Sequence, residues 1–134
     1  MGNAFFTAGS GMTTVAHELG HNLFSLDDEY VSAEATSNFT GVSRFANTSE
    51  RPADWANLKW SALVTPGAPL PTDPAALPQG WNRRTSVGAF EGAGGSFVTG
   101  LFRPVLECRM NQNDPPWCPV CGRKIADDLA VFQP

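Results

Sequence analysis

A chain of 134 residues is long enough for one domain around one core, and 42% apolar content is that of a globular protein. A net charge of -4, with no basic run, excludes a nucleic-acid-binding surface. No apolar stretch is long enough to span a bilayer, residues 1–6 lack the basic and apolar regions of a signal peptide, and Phe6 breaks a myristoylation start.

In chain order, residues 3–8 read as a short strand, with Phe5, Phe6 and Thr7 as its β-formers. Gly9-Ser10-Gly11 turns the chain, and Thr13 or Thr14 is the expected N-cap of a helix running to about Leu26. Val15, Leu19, Leu23 and Leu26 recur at helical spacing and predict one buried side. Gly20 inside this helix costs about 1 kcal/mol against Ala, which points to close packing or a ligand. Residues 32–49 are polar and read as loop, with sequons at Asn38 and Asn47 that matter only on a eukaryotic secretory route. Residues 55–64 predict a short helix or turn anchored by Trp55 and Trp60. Five prolines exclude regular structure from residues 65–80. Residues 86–102 are Gly-rich and predict extended segments with tight turns. Gly92-Ala93-Gly94-Gly95 lacks the Lys and the following helix of a phosphate loop. Residues 118–132 predict a closing helix, with Cys121, Ile125, Leu129 and Phe132 on one stripe and Asp127 and Asp128 facing solvent.

The chemistry concentrates at His17-Glu18-Leu19-Gly20-His21. Residues four apart share a helix face, so His17 and His21 would aim two imidazoles at one metal ion, with Glu18 placed to accept a proton from bound water. A catalytic zinc takes three protein ligands and a water, and Asp27, Asp28, Glu29 and Glu34 follow nearby. An acidic run at a helix C-terminus is unfavourable unless a cation lies close. Phe24 breaks the metzincin spacing that would end on Asp27; moving the bend to Ser25 puts Asp28 in the ligand position. The alternative reading is two surface histidines and a solvated acidic loop. Cys108, Cys118 and Cys121 are an odd number: they form a thiol cluster, or, in an oxidising compartment, Cys108 could pair with Cys118 or Cys121 and leave one thiol. A second, structural zinc is not expected, because no histidine is free to serve as the fourth ligand. Without a surrounding βαβ pattern, Cys118-Pro119-Val120-Cys121 is not a redox motif either.

His17-Glu18-Leu19-Gly20-His21 followed by Leu26-Asp27-Asp28-Glu29-Tyr30 resembles the signature of the IgA-peptidase family of zinc metalloendopeptidases. The resemblance continues in residues 88–93 (Gly-Ala-Phe-Glu-Gly-Ala), Gly100-Leu101-Phe102-Arg103-Pro104, Cys108-Arg109-Met110 and Trp117-Cys118-Pro119-Val120-Cys121. It implies an α+β, zincin or metzincin-like catalytic domain: an active-site helix, long irregular loops, a Met-turn and a C-terminal helix. It aligns the family's Asp, Glu and Tyr with Asp28, Glu29 and Tyr30. Ser25 stands where the family has Gly. Family members carry an N-terminal sheet upstream, so residues 1–134 are expected to be one catalytic domain or the C-terminal part of a larger one.

The resulting expectation is a secreted zinc endopeptidase acting on a protein or peptide, with His17, His21 and Asp28 on one Zn²⁺ and Glu18 as general base. Met110 would floor the histidines as a Met-turn, or simply pack in the core. Asp27, Glu29 and Tyr30 would support the site, with solvated carboxylates and plain packing as the alternatives. Glu91 is expected to hold a backbone or histidine N–H, and the strand over residues 5–8 to bind peptide by strand addition. Two other readings remain: a truncated zinc- or peptide-binding module that cuts nothing, and a zinc-ribbon module built on the cysteines.

Overall fold

The computed structural model describes residues 11–133. The strand expected over residues 3–8, with its peptide-binding edge, lies outside them.

Helix α1 (Met12–Phe24) starts from Gly11, not from Thr13 or Thr14. The Gly11 carbonyl accepts the Thr14 and Val15 amides, which places both threonines inside the first turn. The helix ends two residues short of Leu26 because Ser25 adopts a left-handed conformation, with φ 49°. The Leu26 amide then bonds the Gly20 carbonyl at 3.1 Å, a Schellman-type closure.

The buried face is also not the expected one. His17 and Gly20 are buried, whereas Leu19 is 37% and Leu23 64% exposed. Only Leu26, beyond the reversal, joins the core. Gly20 explains the difference. A Cβ there would lie 2.7 Å from Met110 Sδ and 2.9 Å from the Trp117 ring, so the helix sits down on these two side chains through its glycine. The imidazole face is thereby turned inward and the Leu19–Leu23 ridge outward.

The sheet is built around β4 (Phe97–Arg103). Strand β3 (Phe90–Ala93) pairs antiparallel along one edge, with Phe90 opposite Arg103. Two short strands occupy the other edge: β1 (Ser37–Asn38) parallel, β2 (Ser49–Glu50) antiparallel. The predicted loop over residues 32–49 thus contributes one two-residue strand, and a second begins at its end. The tryptophan region forms two 3-10 turns, Trp55–Asn57 and Ser61–Leu63. Trp60 is buried with its indole N–H donated to the Gly88 carbonyl, and Trp55 meets Phe102 edge-on. The proline-rich segment is coil, as its composition requires.

Helix α2 (Pro119–Ala130) is capped by Cys118, whose sulfur accepts the Cys121 amide. Its predicted apolar stripe holds for Cys121 and Ile125 and then fails: Leu129 is 47% and Phe132 80% exposed. The helix leaves the core after its second turn. Its outer face carries the pairs Arg123–Asp127 and Lys124–Asp128. Among the described residues the architecture is therefore α+β: two helices and a mixed four-stranded sheet. Leu26, Phe102, Val105, Met110 and Val120 fill the space between them.

Candidate metal centre

Three side-chain atoms converge between α1 and the loop behind it. His17 Nε2 and His21 Nε2 lie 3.2 Å apart, and Asp28 Oδ1 lies 3.1 Å from the first and 3.2 Å from the second. The helix supplies the imidazole pair. The Ser25 reversal supplies the rest, because it returns the chain beneath the helix and brings Asp28 to the histidines. Each imidazole is fixed from behind. His17 Nδ1 bonds the Arg109 carbonyl at 2.7 Å, and His21 Nδ1 bonds the Leu26 carbonyl at 2.8 Å. A ring nitrogen facing a carbonyl must carry the proton, which leaves Nε2 of each neutral ring with its lone pair facing inward. Two lone pairs and a carboxylate oxygen then face one another with no donor between them. Such a triangle needs a proton or a cation.

The electrostatics report the same demand. The bond to Asp28 raises the pKa of His17, against desolvation, and raises that of His21 to about 9. Burial pushes Asp28 upward, yet its bonds to the two histidines outweigh this and hold its carboxyl at about 2. The donor set suits zinc, which takes N and O ligands at about 2.0–2.1 Å and so separates neighbouring donors by about 3.3 Å. A cleft of about 710 Å³ opens beside the site, lined by His21, Asn22, Asp28, Arg44 and Phe45 among others.

The model of the IgA Peptidase M64 family matches residues 8–83, a span holding His17, Glu18, His21 and Asp28. This chain belongs to that family. No curated protein matches it. M64 peptidases are metallopeptidases, typically extracellular, so the chain is a peptidase in the coarse sense. Among the described residues no helix is long and apolar enough to cross a membrane.

The neighbouring residues of this M64 chain divide sharply. Glu18 is partly exposed, and its charge acts on both His21 and Tyr30. Tyr30 is 37% exposed and so is no core residue; the Asp28 charge, then burial, raise the pKa of its hydroxyl. Met110 is fully buried against Gly20, in a turn closed by the Asn111 and Gln112 amides on the Cys108 carbonyl. Asp27 turns away from the histidines. Its carboxylate accepts the Thr48 hydroxyl and the Asp28 amide, and burial raises its pKa. Glu34 is exposed and Glu91 holds the Gly100 amide at 2.8 Å. Glu29 is fully buried, not solvated, and points to the cysteines. All three cysteines are buried with their thiols free.

Two supports of the ligand loop escape a reading of the sequence. Gly94 and Gly95, at φ 68° and 71°, turn the β3–β4 hairpin so that their amides donate to the Asp28 and Tyr30 carbonyls. Asn47 is fully buried; it accepts the Asp27 amide and donates to the Asp27 carbonyl and Glu29 Oε1. Burial also closes this sequon, whereas Asn38 is exposed. Lys59 clamps the Asn47 loop by donating to the Ser43, Phe45 and Thr48 carbonyls. Neither partnership has a local signal, since each joins segments far apart in the chain.

Proposed function

We propose that this chain is a secreted zinc endopeptidase of zincin type, with residues 1–134 forming one catalytic domain or the C-terminal part of one. The observation that carries the reading is the triangle of His17 Nε2, His21 Nε2 and Asp28 Oδ1, three acceptors within 3.1–3.2 Å of one another. These residues would hold the ion, with Asp28 rather than Asp27 as third ligand, because Thr48 and the Asp28 amide engage the Asp27 carboxylate. Zinc bound there supplies Lewis acidity, acidifying water and polarising a scissile carbonyl.

Glu18 is the general base: its carboxylate takes the proton of the attacking water and delivers it to the leaving amine. Tyr30, half-exposed beside Asp28, donates its hydroxyl to the developing oxyanion. Arg109 and Leu26 fix the imidazoles through their carbonyls, and Met110 forms an apolar floor under the helix. The substrate is a protein or peptide lying in the cleft beside His21 and Arg44.

The test is zinc content together with chelator-sensitive hydrolysis of casein. Glu18→Ala should keep zinc and lose about 10²–10⁴-fold in rate. Asp28→Ala should lose the histidine-bound zinc, while Asp27→Ala should retain it. Undiminished hydrolysis by Glu18→Ala removes the base, and a zinc-loaded chain that cuts nothing makes the protein a binding module.

A further inference from the structure

One residue past Asp28, the chain enters a second cluster. Glu29, Cys108, Cys118 and Cys121 come from three separate segments, and each is at most 1% exposed. Their four ligand atoms all lie within 4.8 Å of one another. We propose that they form a closed Cys₃Glu site for a second, structural zinc ion.

The distances fit that occupant. Cys108 Sγ and Cys121 Sγ are 3.7 Å apart, and Glu29 Oε1 lies 3.1 Å from Cys121 Sγ and 3.9 Å from Cys118 Sγ. Zinc bonds thiolate at about 2.3 Å and carboxylate at about 2.0 Å, so a tetrahedral site spaces sulfur from sulfur by about 3.8 Å and sulfur from oxygen by about 3.5 Å, and these three distances lie within about 0.4 Å of that. A disulfide needs its sulfurs at about 2.05 Å and uses them in pairs. Here three sulfurs share one dry space with a carboxylate, which is the ligand count of a closed zinc site and not of a bridge.

The second observation is Glu29 itself. Its Oε2 is buried without a hydrogen-bond partner. A buried carboxylate oxygen left so is unfavourable, because it has given up its water without gaining a partner. The nearby cation does not satisfy it: Arg103 acts on Glu29 through space, but its Nη1 donates to the Gly92 carbonyl. A cation among the four ligand atoms would offset the charge of this buried carboxylate, whose Oε1 faces the sulfurs and accepts from Asn47 Nδ2.

The surroundings suit thiolates. The Cys118 amide points at Cys108 Sγ and the Cys121 amide at Cys118 Sγ, each at 3.4 Å. Both cysteines of the Cys-Pro-Val-Cys run sit at the start of α2, where the helix dipole favours negative charge. Three thiolates and one carboxylate around Zn²⁺ leave a net charge of about −2, which the helix terminus and Arg103 offset in part. No histidine is needed as fourth ligand, because a residue 79 positions before Cys108 supplies it. The site would lock together the loops that build the other one. Glu29 follows Asp28, and Cys108 precedes Arg109 and Met110, which brace His17 and Gly20.

The test uses the full chain and zinc alone, and is independent of peptidase activity. Wild type should bind two zinc ions per chain. His17→Ala/His21→Ala should keep one, and X-ray absorption should find sulfur at about 2.3 Å around it. If that variant does not fold, the wild type decides. Sulfur should appear in its zinc shell, and its three thiols should resist a thiol reagent until a chelator strips the metal. A sulfur-free zinc shell in folded wild type, thiols equally reactive with and without zinc, or a disulfide in the unreduced protein would each overturn the site. A chain that holds zinc on sulfur yet hydrolyses nothing would sink the peptidase reading and leave this one standing.

Discussion

Asp28 and Glu29 are adjacent, yet they serve clusters of opposite character. Asp28 meets two imidazoles at the edge of a cleft, and its side chain is 24% exposed. Glu29 meets three cysteines in a space closed to solvent. Successive side chains of an extended segment point to opposite faces, so one stretch of backbone can serve both sides. The segment is held by the Gly94 and Gly95 amides, which donate to the Asp28 and Tyr30 carbonyls, and by the Glu29 amide on the Met110 carbonyl. On the proposals above, the contrast would be that between a catalytic metal site, which keeps three ligands and an open position, and a structural one, which fills all four and excludes water.

The largest effect is expected where the two clusters are joined. Asn47→Ala removes the partner of the Asp27 amide and a donor to Glu29 inside the core. A loss of about 3 kcal/mol in denaturant unfolding should follow, with weaker zinc binding at both clusters. If only one cluster responds, Asn47 does not couple them. Gly20→Ala should separate them. The added methyl would lie 2.7 Å from Met110 Sδ, so about 1–3 kcal/mol of overpacking opposes about 1 kcal/mol of helix propensity. Zinc held by the histidines should weaken while zinc held by sulfur does not; equal affinity at both would mean that the helix shifts without moving His21. The smallest effect is expected from Ser25→Gly. It relieves a positive φ at a cost in unfolded-state entropy, for a net gain of about 0.5 kcal/mol with Asp28 left in place. A loss of stability there would show that the serine side chain contributes more than its backbone strain costs.

The Leu19 and Leu23 ridge marks the limit of periodicity as a guide. Helical spacing located α1, but spacing alone does not say which of two faces is buried when one carries apolar side chains and the other histidines and a glycine. Met110 and Trp117, some ninety residues on, made that choice through contact with Gly20. The same holds for α2, where the stripe was legible but its last turn has no core to meet.

The sequence by itself determined the imidazole pair with its neighbouring carboxylate, and the family resemblance implied the α+β character, while the register of the bend stayed open between Phe24 and Ser25. The imidazole pair follows from spacing along one helix. Only the tertiary structure decided that Asp28 and not Asp27 reaches the histidines, that Asn47 is a buried brace and not a glycan site, and that Glu29 joins the cysteines. Those outcomes depend on which distant segments come within bonding distance, and chain spacing carries no record of that.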